Sequence, residues 1–522
     1  LKPFWLKVHS NNRIGDWTFG RAIGLLFGHG AMPADAAYGD DPEAISAERG
    51  EDHADQSEPE GEAEAQLAWH LSAPLLYDLY VDCSLRWPAL SVAWLPDEPD
   101  EPCRLAFGLH TDGSEPHEVI IAELACSYEE EISQNPWQHW SLDGLGHAVG
   151  FGCNVKAAGT SLLRPIARLA HPTEVNRVLP CPSRPRVLAT KAATGAVLLF
   201  DYKGERPPGG GPDATLLPTS AEAADGFALA WGPPPEQSQQ QLLASGGNDG
   251  RLCVWDVGVA AGGSRSGGGA AVQASGGPLL DIADAHGEVC AVAFCRSSGP
   301  PSLASVGNDG HLRLWDVRAG VRFVSASISK NEVLAVDWSY HQDKVLATSG
   351  KGGTVHIWDL RSMREPQHTL VGHDGEVVAV KWAPFQEGLL ATCSSDTRLL
   401  LWDLSAMRTD NQTFEEESDV GGIPNASPEL LFTHSGHAAS VSDFAWSDID
   451  DFLLCSVSED CKLHIWQPSA AVHAADSSSG DDEPVRAGED GTPAAGARAA
   501  KRARGGVEQG TSDVPPRAAD AT

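Results

Sequence analysis

The chain has 522 residues, enough for one large domain with tails or for two to three domains of average size. Its 72 acidic residues against 37 basic ones give a net charge of −35, which argues against general binding to nucleic-acid phosphates and favours a basic partner. The sequence contains no apolar run long enough for a transmembrane helix, so no membrane partner is predicted. Its 11 cysteines form no Cys-x-x-Cys pair, so neither a disulfide framework nor a zinc site is predicted.

The N-terminal part of the chain is acidic and contains few large apolar residues. We predict a disordered acidic leader over residues 1–57, although the mildly basic first thirty residues leave a transit or signal peptide open. Whether residues 1–50 are native to the mature protein also stays open. A helix is predicted over residues 58–74, with Trp69 near its apolar face and Pro74 at its end.

An alternating apolar stretch that ends in Trp-Asp, or in a close variant, recurs through the middle of the chain. The aromatic residue of this pattern stands at Phe200, Trp255, Trp315, Trp358, Trp402 and Trp466. The shortest spacing, 43 residues, is typical of a four-stranded propeller blade, and loop insertions account for the longer spacings. Residues 85–125 contain a seventh set of strand patterns. The predicted fold class is therefore all-β: a seven-bladed WD40 β-propeller over residues 75–469 with an N-terminal α-helix and disordered acidic tails.

Two features are expected to stabilise this propeller. Strand exchange between the chain ends would complete the first blade. Three histidines would form buried His–Asp–Trp hydrogen-bond chains with an aspartate of their own copy: His286 with Asp309, His373 with Asp396, and His437 with Asp460. We interpret these residues as structural. Because no motif of a known enzyme class is present, no catalytic residue, cofactor or metal ligand is predicted.

Two insertions and a tail interrupt or follow the repeats. Residues 204–219 are rich in Gly and Pro, and residues 408–427 carry five acids. The tail over residues 470–522 is rich in Ala, Gly, Ser and acids, which predicts disorder. Within it, residues 498–504 form a basic cluster typical of a nuclear localisation signal, so a nuclear location is predicted.

A carboxylate precedes the predicted innermost strand of five blades. These residues are Glu174, Asp225, Glu288, Glu332 and Glu376, whereas the last blade has Ser440 at this position. In a propeller the starts of these strands converge on one mouth of the central channel, where crowded carboxylates repel one another unless cations arrive. The pattern therefore favours binding of Arg and Lys side chains through charge-assisted hydrogen bonds, the alternative being a set of solvated loop acids.

Several segments outside the general repeat pattern resemble one family. They include Leu85-Arg86-Trp87-Pro88-Ala89-Leu90, Glu174-Val175-Asn176-Arg177 and Pro428-Glu429-Leu430-Leu431-Phe432. Between about Trp69 and Gln467 the chain resembles the retinoblastoma-binding, multicopy-suppressor-of-Ira family of histone-binding WD-repeat proteins. The resemblance implies a non-enzymatic histone chaperone or scaffold in chromatin assembly, deacetylase, Polycomb or remodelling complexes, with core histones and other members of those complexes as partners. It does not indicate which of these complexes holds the chain.

The resemblance implies two sites for basic histone segments. A side pocket for a histone helix would be formed by Trp69, Glu415, Glu416, Glu417, Asp419, Leu431 and Phe432. A peptide-binding site at the channel mouth would be formed by Glu174, Asn176, Asp225, Phe227, Glu332, Glu376 and Glu459, to which the repeated acid pattern adds Glu288. The chain departs from the family where residues 421–427 separate the acids of the side pocket from Pro428, so binding of a histone helix there stays open.

Two other functions compete with this interpretation. Trp315-Asp316-Val317-Arg318 and Trp358-Asp359-Leu360-Arg361 resemble the W-D-x-R box of substrate receptors for cullin-type ubiquitin ligases, which makes Arg318 and Arg361 candidate contacts for a ligase adaptor. Because histone-binding relatives carry the same box, the two roles are compatible. A ribosome-assembly chaperone that binds a basic ribosomal protein is the other alternative, and the Trp87-Pro88 segment argues against it.

Overall fold

A computed structural model of the chain describes a nearly all-β architecture. The described residues are 69, 72–96, 102–124, 141–142, 148–151, 163–204, 210–218, 224–234, 240–257, 277–296, 302–405, 427–448 and 450–473. The predicted leader, most of the predicted N-terminal helix, the acids of residues 408–426 and the basic cluster of residues 498–504 lie outside this part of the chain.

Thirty strands form seven antiparallel sheets, one for each predicted blade. In chain order they are β1 (Tyr77–Ser84), β2 (Ala89–Trp94), β3 (Arg104–Leu109), β4 (Glu118–Leu124), β5 (Ser141–Leu142), β6 (Ala148–Phe151), β7 (Leu163–Ala170), β8 (Val175–Cys181), β9 (Arg184–Ala192), β10 (Val197–Asp201), β11 (Ala214–Leu216), β12 (Leu229–Trp231), β13 (Leu242–Gly246), β14 (Leu252–Asp256), β15 (Leu280–Ile282), β16 (Val289–Phe294), β17 (Ser302–Gly307), β18 (His311–Asp316), β19 (Val321–Ser327), β20 (Val333–Trp338), β21 (Val345–Gly350), β22 (Thr354–Asp359), β23 (His368–Val371), β24 (Val377–Trp382), β25 (Leu389–Ser394), β26 (Leu399–Asp403), β27 (Leu430–His434), β28 (Val441–Trp446), β29 (Leu454–Ser458) and β30 (Lys462–Pro468).

The sheets confirm the predicted seven-bladed propeller. Blade 1 consists of β2, β3, β4 and β7, blades 2 to 6 take four consecutive strands each from β8 to β27, and blade 7 contains β28, β29, β30 and β1, with β6 and β5 beyond β1. The first strands of neighbouring blades contact one another, so they line the central channel. Apolar side chains between adjacent sheets form the core.

The chain ends differ from the predictions. Strand exchange completes the last blade and not the first: β1 pairs antiparallel with β30, whereas blade 1 takes its fourth strand, β7, from its own part of the chain. The exchange covers the edge of β30, which would otherwise expose unpaired backbone groups. Residues 72–76 are helical, so helical structure continues two residues beyond Pro74. Ala470–His473, predicted to be disordered, form a short helix in which the Ala470 N–H donates to Asp78 Oδ2 at 2.8 Å.

Buried aromatic side chains fasten β1 to its neighbours. The Tyr77 hydroxyl lies 2.8 Å from His434 Nδ1, and the Tyr80 hydroxyl lies 3.3 Å from His464 Nε2. The two histidines are linked by a contact of 3.2 Å between His434 Nε2 and His464 Nδ1. Burial raises the pKa of both tyrosines and lowers the pKa of His434 well below its usual value, so these groups stay neutral at physiological pH.

The predicted hydrogen-bond chains are present, with a hydroxyl group that the sequence analysis missed. In blade 6, His373 Nδ1 lies 2.9 Å from Asp396, and His373 Nε2 lies 2.8 Å from Thr392 Oγ1, which also accepts the Trp402 indole N–H at 2.9 Å. Blades 4 and 7 repeat this arrangement, with Ser305 and Ser456 as the hydroxyl groups. The chain is therefore Asp–His–Ser/Thr–Trp.

A buried carboxylate joins four blades near the channel. Asp443 of blade 7 accepts hydrogen bonds from Ser91 Oγ of blade 1 at 2.9 Å and from Lys381 Nζ of blade 6 at 2.7 Å. Arg177 Nη1 of blade 2 lies 3.6 Å from the same carboxylate. Burial alone would raise the pKa of Asp443, but the charges of Arg177 and Lys381 hold it below its usual value.

Replacement of this carboxylate should weaken the whole ring. Asp443→Asn keeps the size of the side chain but leaves two buried cations without their anion, so the free energy of unfolding should fall by about 3–5 kcal/mol. Chemical denaturation would measure the loss. Asp374→Asn, which removes a carboxylate from a side chain that is 84% exposed, is the control and should change stability by less than about 0.5 kcal/mol. Equal stability of the two variants would contradict the role given to Asp443.

Candidate functional site

The five predicted acids occupy structurally equivalent positions. The backbone carbonyl of each accepts a hydrogen bond from the turn between the second and third strands of its own blade. The donor and acceptor pairs are Ala193 N to Glu174 O at 3.2 Å, Asn248 N to Asp225 O at 2.7 Å, Asn308 N to Glu288 O at 3.3 Å, Lys351 N to Glu332 O at 3.2 Å and Ser395 N to Glu376 O at 3.0 Å. Because all five precede the innermost strand, they lie at the same mouth of the channel.

The last blade supplies a carboxylate from the other side of the same hydrogen bond. Ser440 O accepts from Glu459 N at 3.0 Å, so Glu459 stands in the turn position and brings an acid to the blade that lacks one at the strand start. In blade 1 the corresponding pair is Pro88 and His110, and His110 Nδ1 lies 3.7 Å from Glu174 Oε2 of blade 2. Six blades thus contribute an acid to what we call the carboxylate ring: Glu174, Asp225, Glu288, Glu332, Glu376 and Glu459.

The carboxylate ring faces solvent. Asp225, Glu288, Glu376 and Glu459 are exposed, and Glu174 and Glu332 are half-buried. Lys351 Nζ lies 2.8 Å from Glu332 Oε2, and this hydrogen bond raises the pKa of Lys351 above its usual value. The sequence analysis missed Lys351, although its position directly after Gly350, equivalent to that of Glu459 after Ser458, places it at the channel mouth. Lys351 neutralises one acid, so the ring keeps an excess of negative charge.

The structure also brings Asn176, Asp225 and Phe227 together, as predicted for the channel mouth. The buried Asn176 amide donates to Asp225 Oδ1 at 2.6 Å and to Gly226 O at 3.0 Å, and the Gly226 N–H donates to the same carboxylate oxygen at 2.7 Å. Asn176 therefore positions Asp225. Phe227, which is 50% exposed, adds an apolar surface beside this acid.

The apolar residues predicted for the side pocket lie mainly in the protein's own core. Trp69 is buried against Tyr80 and His434, with ring centroids 5.2 and 5.7 Å apart, and Phe432 is buried and stacks on Trp466 at 5.9 Å. This packing leaves little of either side chain for a partner. Leu431 is half-buried against the same cluster. The acids Glu415, Glu416, Glu417 and Asp419 lie outside the described residues.

The two candidate ligase-adaptor residues lie at the other mouth of the channel, because they follow the third strand of their blades. Both Arg318 and Arg361 are exposed. Arg361 has a side chain that is 74% exposed and forms two hydrogen bonds to Asp359, from Nε to Oδ1 at 2.9 Å and from Nη2 to Oδ2 at 2.6 Å. These bonds lower the pKa of Asp359 and fix the guanidinium group. In contrast, the Arg318 contact with Asp316 is a backbone one, at 2.9 Å.

Three buried histidines, His434, His437 and His464, are close enough to share a metal ion. Each of their ring nitrogens is already within hydrogen-bond distance of Tyr77, Tyr80, Asp460, Ser456 or another histidine of the cluster. Hydrogen bonding therefore accounts for this arrangement. In the described part of the chain, none of the helices has the length and apolar character needed to cross a membrane.

Comparison with known proteins matches three parts of the chain. Residues 64–127 match the family described as histone-binding protein RBBP4 or a component of the CAF1 complex. Residues 229–256 and 428–467 match the WD domain, G-beta repeat, and residues 286–402 match the EIPR1 beta-propeller. The first match extends from the N-terminal helical segment through β4, and the others fall on blades 3 to 7.

Removal of the lysine from the channel mouth should strengthen binding of cations. Lys351→Met leaves Glu332 unpaired, so the affinity for an oligoarginine peptide should rise about 2- to 5-fold at low salt, as expected for one exposed ion pair, and the gain should shrink at high salt. Fluorescence polarisation with a labelled peptide would measure both. Lys344→Met, at the opposite mouth, removes the same charge and should have a smaller effect. A weaker affinity of the Lys351 variant would contradict the proposed electrostatics.

Proposed function

Because the chain belongs to the family of histone-binding WD-repeat propellers, we propose that it binds basic segments of core histones at the carboxylate ring. In this role it is a non-catalytic subunit, a histone chaperone or scaffold, of nuclear complexes that assemble, deacetylate, silence or remodel chromatin. The match of residues 64–127 to the RBBP4 family supports the choice of histones as the partner.

The observation that carries this proposal is the carboxylate ring itself. Acids from six blades reach one mouth of the channel through a shared backbone hydrogen bond, and Lys351 neutralises one of them. Arg and Lys side chains relieve the mutual repulsion of such acids and pair with them through charge-assisted hydrogen bonds. The net charge of −35 attracts a basic partner over longer distances.

A second contact for a histone helix at the side pocket remains part of the proposal. The helical segment at residues 72–76 presents Leu75, which is 57% exposed, and the loop before blade 7 presents the half-buried Leu431. These two side chains, more than the buried Trp69 and Phe432, are available for apolar contact with a partner. The acids of residues 415–419 would meet its basic side chains.

The affinity of the full chain for the core histone tetramer tests the main proposal. Glu174→Gln, Glu332→Gln and Glu376→Gln combined in one variant should weaken binding roughly 5- to 50-fold, since each exposed ion pair contributes about 0.2–1 kcal/mol. Asp343→Asn, Glu387→Gln and Asp450→Asn remove three carboxylates from turns at the opposite mouth and form the matched control.

The two triple variants carry the same net charge, so a difference between them reports position. Equal weakening by both would show that only total charge matters and would contradict the proposed site. Tighter binding of a basic ribosomal protein than of histones would instead favour the ribosome-assembly alternative.

A cullin-type ubiquitin ligase is the second candidate partner. The exposed guanidinium group of Arg361, fixed by Asp359 on the mouth opposite the carboxylate ring, supports this role and leaves histone binding undisturbed. The alternative function is that of a substrate receptor that presents bound histones to the ligase.

The double variant Arg318→Ala/Arg361→Ala tests this second role. It should lose co-purification with a cullin adaptor and keep the histone affinity of the unchanged chain, because the two mouths of the channel are separate. Arg364→Ala, an exposed arginine in the loop after β22, is the matched control. Undiminished co-purification of the double variant would eliminate the W-D-x-R box as the contact.

A further inference from the structure

Blade 5 lacks the histidine and the aspartate of the hydrogen-bond chain that blades 4, 6 and 7 share. Ser329 takes the place of the histidine: its N–H donates to Gly310 O at 3.1 Å, as the His286 N–H donates to Gly250 O at 3.4 Å. Gly352 takes the place of the aspartate, because it follows Lys351, whose N–H makes the turn hydrogen bond of this blade.

The other half of the chain is intact in blade 5. The Trp358 indole N–H donates to Thr348 Oγ1 at 2.9 Å, as Trp315 does to Ser305 at 2.8 Å and Trp402 to Thr392 at 2.9 Å. In blades 4 and 6 the same hydroxyl oxygen lies 2.8 Å from the Nε2 atom of a buried imidazole. Thr348 therefore has the position and the hydroxyl proton needed to bind an imidazole nitrogen.

A cleft of about 270 Å³, open to solvent, occupies this place in blade 5. Its walls combine hydroxyl groups, apolar side chains and one carboxylate. They include Ser329, Thr348, Thr354, Ile328, Val333 and Glu332. Glu332 belongs to the carboxylate ring, so the cleft opens beside the proposed peptide site and offers an acid near the place that the aspartate has in other blades.

We propose that this cleft binds the imidazole side chain of a histidine in a peptide bound at the carboxylate ring. The partner's imidazole would take the place that His286 and His373 have in their own blades, with Thr348 as its hydrogen-bond partner and the apolar side chains against its ring. This inference rests on the proposed function only for the source of the histidine, since binding of imidazole itself depends on the cleft alone.

Free imidazole is the direct probe. Saturation-transfer NMR on the full chain should show contact between the protein and the imidazole ring protons. Ser329→His/Gly352→Asp rebuilds the side chains of the other blades and should abolish the signal. The rebuilt blade is expected to fold, because a Cβ at Gly352 meets only Asn331 and Thr354, both at 3.6 Å. His373→Ala, which opens the equivalent space in blade 6, is the positive control and should increase the signal.

Two results would overturn the proposal. One is transfer to imidazole in the His373 variant with none in the unchanged chain, which would show that the blade 5 cleft holds water only. The other is transfer that persists in the Ser329→His/Gly352→Asp variant, which would place the binding elsewhere.

A pair of basic peptides, identical except for one histidine or alanine, tests the link to the ring. The unchanged chain should bind the histidine peptide at least several-fold more tightly, and the Ser329→His/Gly352→Asp variant should bind both equally. Equal binding by the unchanged chain would contradict the inference. Imidazole binding together with no affinity for either peptide or for histones would instead refute the proposed function and leave the cleft as a site.

Discussion

Closure of the ring is the constraint on which the other features of this protein depend. The acids of the carboxylate ring come from six blades that are distant in sequence, and they converge only if blade 7 meets blade 1. Two interactions secure that junction: β1 pairs with β30 under the buried Tyr77 and Tyr80, and Asp443 binds groups from blades 1, 2 and 6. The first is a backbone ladder and the second a buried ion-pair network. The site is therefore a product of long-range contacts, although each of its acids is placed by a local hydrogen bond.

The blades share one internal plan, and departures from it are informative. In blade 3, whose sequence has no histidine for the hydrogen-bond chain, Lys191 of blade 2 donates to Ser245 Oγ at 2.8 Å and supplies the missing partner. Burial lowers the pKa of this lysine to about 8, so the contact carries less charge than an ordinary lysine. In blade 5 the sequence offers no such replacement, and a cleft opens next to Glu332. A substitution within the repeat is thus either compensated by a neighbouring blade or exposed as a surface feature.

The sequence predicted the features that repeat. Trp-Asp periodicity indicated the number of blades, and a constant offset from the innermost strand identified five of the ring acids. It could not locate the strand exchange, because the pairing of Tyr77–Ser84 with Lys462–Pro468 joins segments at opposite ends of the chain and leaves no local periodic signal. The apolar character of Trp69 and Phe432 was equally consistent with a partner surface and with the core, and only the packing around them shows that they are buried. Lys351 and the hydroxyl group between His and Trp were missed because each becomes meaningful only when the blades are superposed.

Hydrogen exchange of the full chain with and without the core histone tetramer tests the central claim most directly, because it locates the contact without any substitution. The account predicts slower exchange in the turns that contain Glu288, Glu332 and Glu376, which lie at the mouth formed by the carboxylate ring. The turns that contain Asp343, Glu387 and Asp450, at the opposite mouth, should exchange at the same rate in both samples. Protection confined to that opposite mouth, or no protection at all when histones are in excess, would contradict a histone site at the carboxylate ring.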